Sequence, residues 1–214
     1  MSKRTLVVFL FALSGACDLV CEIAWSRTLG LVFGVTVFAL SAVLAIFMLG
    51  MAAGGFVAGR LLRWRGDPQA VFAQVHVALC AATIGTWPLF SAIHVFYVGA
   101  NHDLPAWALQ PSVLLLSTLV LIVPTTLMGT TLPVASALLQ RSTPGDDAVG
   151  RDIGGLYAAG TFGGVLGAAG AAFVLLPAAG TFGTVGIAAL ADAFIALAAF
   201  AAVPGGGRRA AKEA

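Results

Sequence analysis

Residues 5–27 read TLVVFLFALSGACDLVCEIAWSR, and the reading of this stretch decides the fold. It is apolar over the roughly 20 residues that a membrane-crossing helix needs, yet it contains Asp18 and Glu22 and closes on Arg27. An ionisable side chain at the centre of a spanning helix costs roughly 2.5–3.5 kcal/mol on insertion scales, so such residues face a protein interior or a wet cavity. Asp18, Glu22 and Trp25 follow the i, i+4, i+7 spacing of one helical face. Arg27 lies about 140° round the helix from Glu22. A pair between them, fixing the outer end of this helix, requires the helix to end or bend near Trp25.

The whole chain shares this character. Of its 214 residues 60% are hydrophobic and 9% charged, and the mean hydropathy is +1.01. Soluble domains carry about 25% charged residues, so a soluble fold is excluded and an all-α polytopic membrane protein is expected. No polar run exceeds the stretch from Arg141 to Asp152. Cys17, Cys21 and Cys80 lie inside apolar segments, where cysteine packs as a small apolar residue. Metals, cofactors and nucleic acid are not expected as partners. Lys3, Arg4 and the following apolar run imitate a secretory or lipoprotein signal. Ser14 stands where a lipoprotein signal carries Leu, and the apolar run continues past Cys17, so this segment is expected to stay as the first span.

Six spans are expected, over about 5–26, 34–59, 70–98, 107–139, 153–176 and 182–203. Residues 1–204 then form one membrane domain and 205–214 a short basic tail. Lys3, Arg4, Arg60, Arg63, Arg65, Arg141, Arg151, Arg208, Arg209 and Lys212 fall on one side of this arrangement, and only Arg27 falls on the other. By the positive-inside rule both termini are cytoplasmic, in the inner (plasma) membrane. Trp25, Tyr97 and Trp107 fall near the outer boundary as interface anchors, and Trp64 near the inner one. Pro88 in the third span, and Pro124 and Pro133 in the fourth, remove backbone donors and predict kinks. Thr125, Thr126, Thr130 and Thr131 can refill the bonds so freed. Gly30 and Gly34, Gly50 and Gly54, Gly55 and Gly59, and Gly163 and Gly167 are small-xxx-small pairs, and Gly170 extends the last face. The run GGLYAAGTFGG (154–164) follows no strand and is not a phosphate loop.

Three motifs carry a family resemblance. They are E-x-x-W-x-R (Glu22, Trp25, Arg27), P-T-x-x-M-G-x-T-L-P (Pro124 to Pro133), and G-x-L-Y-A…G-x-x-x-G…P-x-x-G (Gly155 to Gly180). In order and spacing these resemble the membrane domain found fused to spermidine synthase-like proteins, itself similar to one half of a major-facilitator transporter. The departures are Gly160, where an Asn is common, Asp18, where a small residue is usual, and Cys21, where an aromatic is usual. The segment GRLLRWRGD (59–67) is similar to the basic loop of such transporters without its usual acidic residue. The resemblance implies two three-helix repeats with a solute site near mid-membrane, and pairing of the half-unit with a second copy. Fused members carry an aminopropyltransferase-like domain after the last helix. This chain ends at Ala214, so no aminopropyl transfer is expected of it, and without a His cluster, nucleophile–base pair or cofactor loop no other enzyme activity is expected.

Asp18 and Asp192 are the two deep acids, with no Lys or Arg at similar depth. One reading is an acidic cavity for a small cationic metabolite such as a polyamine, or for protons, with Asp18, Glu22, Trp25, Tyr157 and Asp192 as binding residues. Arg27, Pro124, Pro133, Gly163 and Gly167 would then serve structure or gating. Each acid can equally be a neutral, hydrogen-bonded packing group. Tyr157 and Thr161, one turn apart, either line the cavity or pack. His76 and His94 sit toward opposite ends of the third span and read as incidental interfacial residues. The rival function is a non-transporting subunit that anchors a separate cytoplasmic synthase-like enzyme through Arg60–Arg65 and the tail. The charge pattern makes one prediction directly. A reporter that is active only in the cytoplasm, fused after Ala214, is expected to be active, and a reporter that needs export to be silent. The opposite result would invert the topology.

Overall fold

The computed structural model describes residues 3–33, 37–100, 105–141 and 146–201. Among them the elements are α1 (Lys3–Phe33), α2 (Val37–Arg65), α3 (Pro68–Ala100), α4 (Ala106–Gln140), α5 (Asp146–Gly170) and α6 (Leu176–Ala201), with no strand. A π-helical turn, Ala171–Leu175, joins α5 to α6. The tail 205–214, with Arg208, Arg209 and Lys212, and the Trp107 side chain lie outside the described residues. Five helical stretches are long and apolar enough to cross a bilayer: Lys3–Leu31, Leu40–Arg65, Pro68–Ala100, Ala108–Gln140 and Gly150–Ala201. The chain is a multi-pass, all-helical membrane protein.

The six spans read from the sequence differ from this in one place. The expected fifth and sixth spans fall within a single helical stretch of 52 residues. What separates them is one residue, Gly180, at φ 65 and ψ −178 inside α6. Glycine reaches this region without the Cβ penalty of other residues. Its carbonyl accepts a 2.7 Å hydrogen bond from the Thr184 hydroxyl, one turn beyond the break.

Named contacts give the direction of each helix. Arg4, Ala12 and Ala16 of α1 meet Asp152, Gly163 and Gly167 of α5, so these two run parallel. Gly50 and Gly54 of α2 meet Thr125 and Gly129 of α4, again parallel. Along α3, Gln69, His76 and Trp87 meet Ala199, Asp192 and Phe182 of α6, so this pair is antiparallel. Trp25 of α1 reaches Thr86 of α3, and Cys21 interacts with Thr83, which sets α1 and α3 parallel. The chain therefore reverses direction between Gly167 and Phe182, where Gly180 lies.

The two parallel crossings are made by glycine. A Cβ on Gly163 would overlap the backbone of Ala12, and one on Gly167 the backbone of Ala16. A Cβ on Gly50 would overlap the Thr125 side chain, and one on Gly54 the backbone of Thr126 and Gly129. The two sets are related by one displacement: 163−50, 167−54, 125−12 and 129−16 are all 113. The two positive-φ residues among those described are Gly66, directly after α2, and Gly180, at the break inside α6. By contrast Gly30, Gly55 and Gly170 have nothing near the Cβ position, so these small residues make no intramolecular crossing.

At the end of the bundle holding the α1 N-terminus, Arg4 Nη2 donates to Asp152 Oδ1 at 2.6 Å. At the α2–α3 turn, Arg141 donates to Asp67 Oδ1 at 3.3 Å and to the Gly66 carbonyl. Helix α4 continues through Pro111, Pro124 and Pro133. Thr125, Thr130 and Thr131 hydroxyls donate to the carbonyls of Leu121, Leu127 and Met128. These neighbour the carbonyls that the prolines release, Val120 and Gly129, and are not the same ones.

Gly163→Leu or Gly167→Leu is expected to force α1 and α5 apart and to cost about 1–3 kcal/mol or more, as overpacking does. Gly55→Leu is expected to fall within about 0.5 kcal/mol of wild type, the range of substitutions that touch no packed group. Thermal unfolding in detergent separates the two, and equal effects would mean that the crossing is not glycine-dependent.

Candidate functional site

The polar side chains of α1 gather on one line. Ser14, Asp18, Cys21 and Trp25 are spaced four, three and four residues apart, so they share a face. That face meets His76, Thr83 and Thr86 of α3, and Asp192 of α6. The result is a buried polar seam between three helices.

Its centre is an ion-pair geometry. His76 Nδ1 lies 2.9 Å from Asp192 Oδ1, with His76 0% and Asp192 1% exposed. Phe72, one turn before His76, packs edge-on against the imidazole at 4.6 Å. Asp18 approaches from α1, close enough to interact electrostatically with both Asp192 and Glu22. Beyond it, Trp25 Nε1 donates to Thr86 Oγ1 at 3.3 Å, and that hydroxyl donates to the Thr83 carbonyl at 2.7 Å.

Among the described residues four buried side-chain atoms have no hydrogen-bond partner: Ser14 Oγ, Asp18 Oδ1, His76 Nε2 and Thr83 Oγ1. All four belong to the seam. An unmet buried polar atom costs about 1–3 kcal/mol. Four of them in one place mark a site where water, a proton or a polar ligand completes the bonding.

The residues singled out from the sequence divide on this geometry. Asp18 and Asp192 are brought together. Glu22 is half-buried one turn outward from Asp18 and forms no ion pair with Arg27 among the described residues, because α1 stays helical to Phe33 and holds Arg27 on an exposed face. Trp25 is 1% exposed and hydrogen-bonded, so it is a core residue of the seam and not an interface anchor. Tyr157 is 66% exposed and Thr161 is exposed, so both lie outside the buried seam. Pro124 is buried and Pro133 half-buried in α4, and Gly163 and Gly167 belong to the α1–α5 crossing. Cys17 and Cys21 are buried in α1.

His76 corrects the sequence reading most. The residue is buried and paired, not incidental. Helix α3 begins at Pro68, so His76 is about 12 Å along it, and its i+7 neighbour Thr83 shares its face. That spacing, set beside the matching line on α1, was the available signal.

No group of three or more His, Cys, Asp or Glu among the described residues is placed to hold a metal ion. Comparison with family models, with curated proteins and with solved structures finds no match to this chain. The reading of the site rests on its own geometry.

His76→Leu and Asp192→Leu are each expected to destabilise by about 3–5 kcal/mol, since either leaves a buried partner uncompensated. The double variant is expected to lose less than the sum, with a coupling of about 0.5–3 kcal/mol. Additive losses in a denaturation cycle would show that the two side chains do not act as a pair.

Proposed function

We propose that the chain is a transporter-like membrane protein that binds and moves a small organic cation of the polyamine type, crossing the bilayer six times as two inverted three-helix repeats. The displacement of 113 residues between the α1–α5 and α2–α4 crossings supports the repeat reading, as does the opposite course of α1 and α4. Straight, the stretch Gly150–Ala201 would be about 78 Å long against a hydrocarbon core of about 30 Å. With the reversal at Gly180 it makes two crossings.

The observation that carries the substrate class is the meeting of Asp18 and Asp192 in one buried seam that contains no Lys or Arg. Fixed carboxylates at that depth suit ammonium groups, which donate several hydrogen bonds each and carry the opposite charge. Asp18, with an oxygen free of protein donors, would take the first ammonium group, and Glu22, one turn outward, the next. Asp192, already bonded to His76, would close the site. The polyamine itself comes from the motif resemblance. Access from the two sides would alternate by rocking of one repeat, or one protomer, against another, with both termini cytoplasmic and a second copy completing the unit.

A second reading has its own observation. Trp64, with the Arg65 guanidinium 4.8 Å from its ring centroid, stands exposed at the end of α2 beside exposed Arg60 and Arg63. This surface suits an acidic soluble partner, as an anchoring subunit would require.

Reconstituted wild-type protein is expected to take up labelled spermidine or putrescine saturably, and Asp18→Asn to reduce this at least tenfold while remaining folded. Well-folded wild type that neither binds nor moves either amine, together with co-purification of a soluble enzyme, would move the conclusion to the anchoring subunit.

A further inference from the structure

The seam holds more than a cation site requires. A carboxylate that served only to attract an ammonium group gains nothing from a buried imidazole bonded to it. Nor does such a site explain why the far nitrogen of that imidazole, Nε2, is buried without a partner. We propose that Asp18, His76 and Asp192 form a proton-exchange centre, in which the His76–Asp192 pair takes up and releases one proton through Nε2 and passes it to and from Asp18.

The bonding permits this at each stage. With neutral His76 donating Nδ1–H to ionised Asp192, Nε2 is a bare acceptor. A proton arriving there makes an imidazolium whose Nδ1–H still donates to Asp192, so the 2.9 Å bond survives the transfer. The added charge lies beside a carboxylate and the pair becomes neutral overall. The proton leaves by the reverse step, to Asp18 Oδ1 or to water held by the unmet Ser14 hydroxyl. No bond other than N–H and O–H changes.

The surrounding helices leave this centre electrically alone. The ionisable side chains facing it are Cys17, Asp18, Cys21 and Glu22 on α1, and His76 and Cys80 on α3, with Asp192 on α6. Residues 40–59 of α2 and 108–140 of α4 contain no ionisable side chain, and residues 153–170 of α5 contain only Tyr157, which faces outward. Arg4 is held by Asp152 at the end of the bundle. A proton gained or lost at His76 is therefore uncompensated by any fixed cation, so it changes the attraction of Asp18 and Asp192 for a cationic solute. Proton release would favour the cation and proton uptake would expel it, which is antiport. Proton exchange stands on the geometry alone; its coupling to solute movement rests on the transport reading above.

The test separates the two. Infrared difference spectra of the protein in liposomes, recorded across a pH titration without any solute, are expected to show an imidazole signal and a carboxyl signal changing together in wild type. His76→Gln keeps a donor for Asp192 but has no group that takes up or releases a proton over this pH range; it is expected to lose the imidazole signal and shift the carboxyl one. Asp18→Asn is expected to remove one carboxyl signal and serves should His76→Gln fail to fold. A wild-type spectrum unchanged by pH, or one unaltered in both variants, overturns the centre. In a second arm, an outward-directed cation gradient of spermidine-loaded liposomes is followed with a trapped pH dye. Wild type is expected to exchange protons for spermidine, and His76→Gln to move spermidine without the proton signal. Titrating spectra without any spermidine flux leave the centre standing and remove the polyamine reading. Spermidine flux in His76→Gln that still carries protons overturns the coupling.

Discussion

The architecture depends on two places where backbones touch. In a bilayer, apolar side chains gain little by leaving lipid for a neighbouring helix, so association rests on close packing and hydrogen bonds. Gly163 and Gly167 let α5 lie against Ala12 and Ala16, and Gly50 and Gly54 let α2 lie against Thr125 and Gly129. With these parallel pairs fixed, α3 and α6 are left to close on each other in opposite directions. The turns at Gly66 and Gly180 deliver them there.

That arrangement decides where polar side chains can be tolerated. Helix α1 has α5 on one side and the α3–α6 pair on another. Its small residues serve the first contact, and its polar line, Ser14 to Trp25, is buried in the second. The same helix thus supplies a tight apolar crossing and one wall of a polar seam, on faces nearly half a turn apart. Toward its C-terminal end the polar groups pair, Trp25 with the Thr86 hydroxyl and that hydroxyl with the Thr83 carbonyl. Those near Asp18 do not, and the contrast locates the place where chemistry is left open.

The ion pairs outside the seam act as fasteners. Arg4 reaches the buried Asp152 at the start of α5, and Arg141 holds the α2–α3 turn through Asp67 and the Gly66 carbonyl. Both join elements far apart in sequence. The Arg141 contacts are solvent-exposed and individually weak, whereas Asp152 is buried and depends on its partner. The α3–α6 contact carries a third fastener, Gln69 Nε2 to the Ala199 carbonyl at 2.6 Å.

Length and hydropathy alone determined that this chain is helical and membrane-crossing, because a backbone in hydrocarbon must satisfy its own hydrogen bonds. The same local information marked Asp18 and Asp192, since charge in an apolar run is costly wherever the run folds. It did not separate the glycines that pack, such as Gly163, from those that do not, such as Gly55, because small-xxx-small spacing is identical in both and only a neighbouring backbone distinguishes them. His76 was passed over for a related reason. A histidine eight residues into a helix resembles an interfacial one until Asp192, 116 residues away, is placed at 2.9 Å. The expected fifth and sixth spans, 153–176 and 182–203, bracket Gly180, but that this one glycine takes a positive φ inside a continuous helical stretch has no compositional mark. Burial in a bilayer is a property of a segment, and sequence records it; partnership is a property of two segments, and only the tertiary fold sets it.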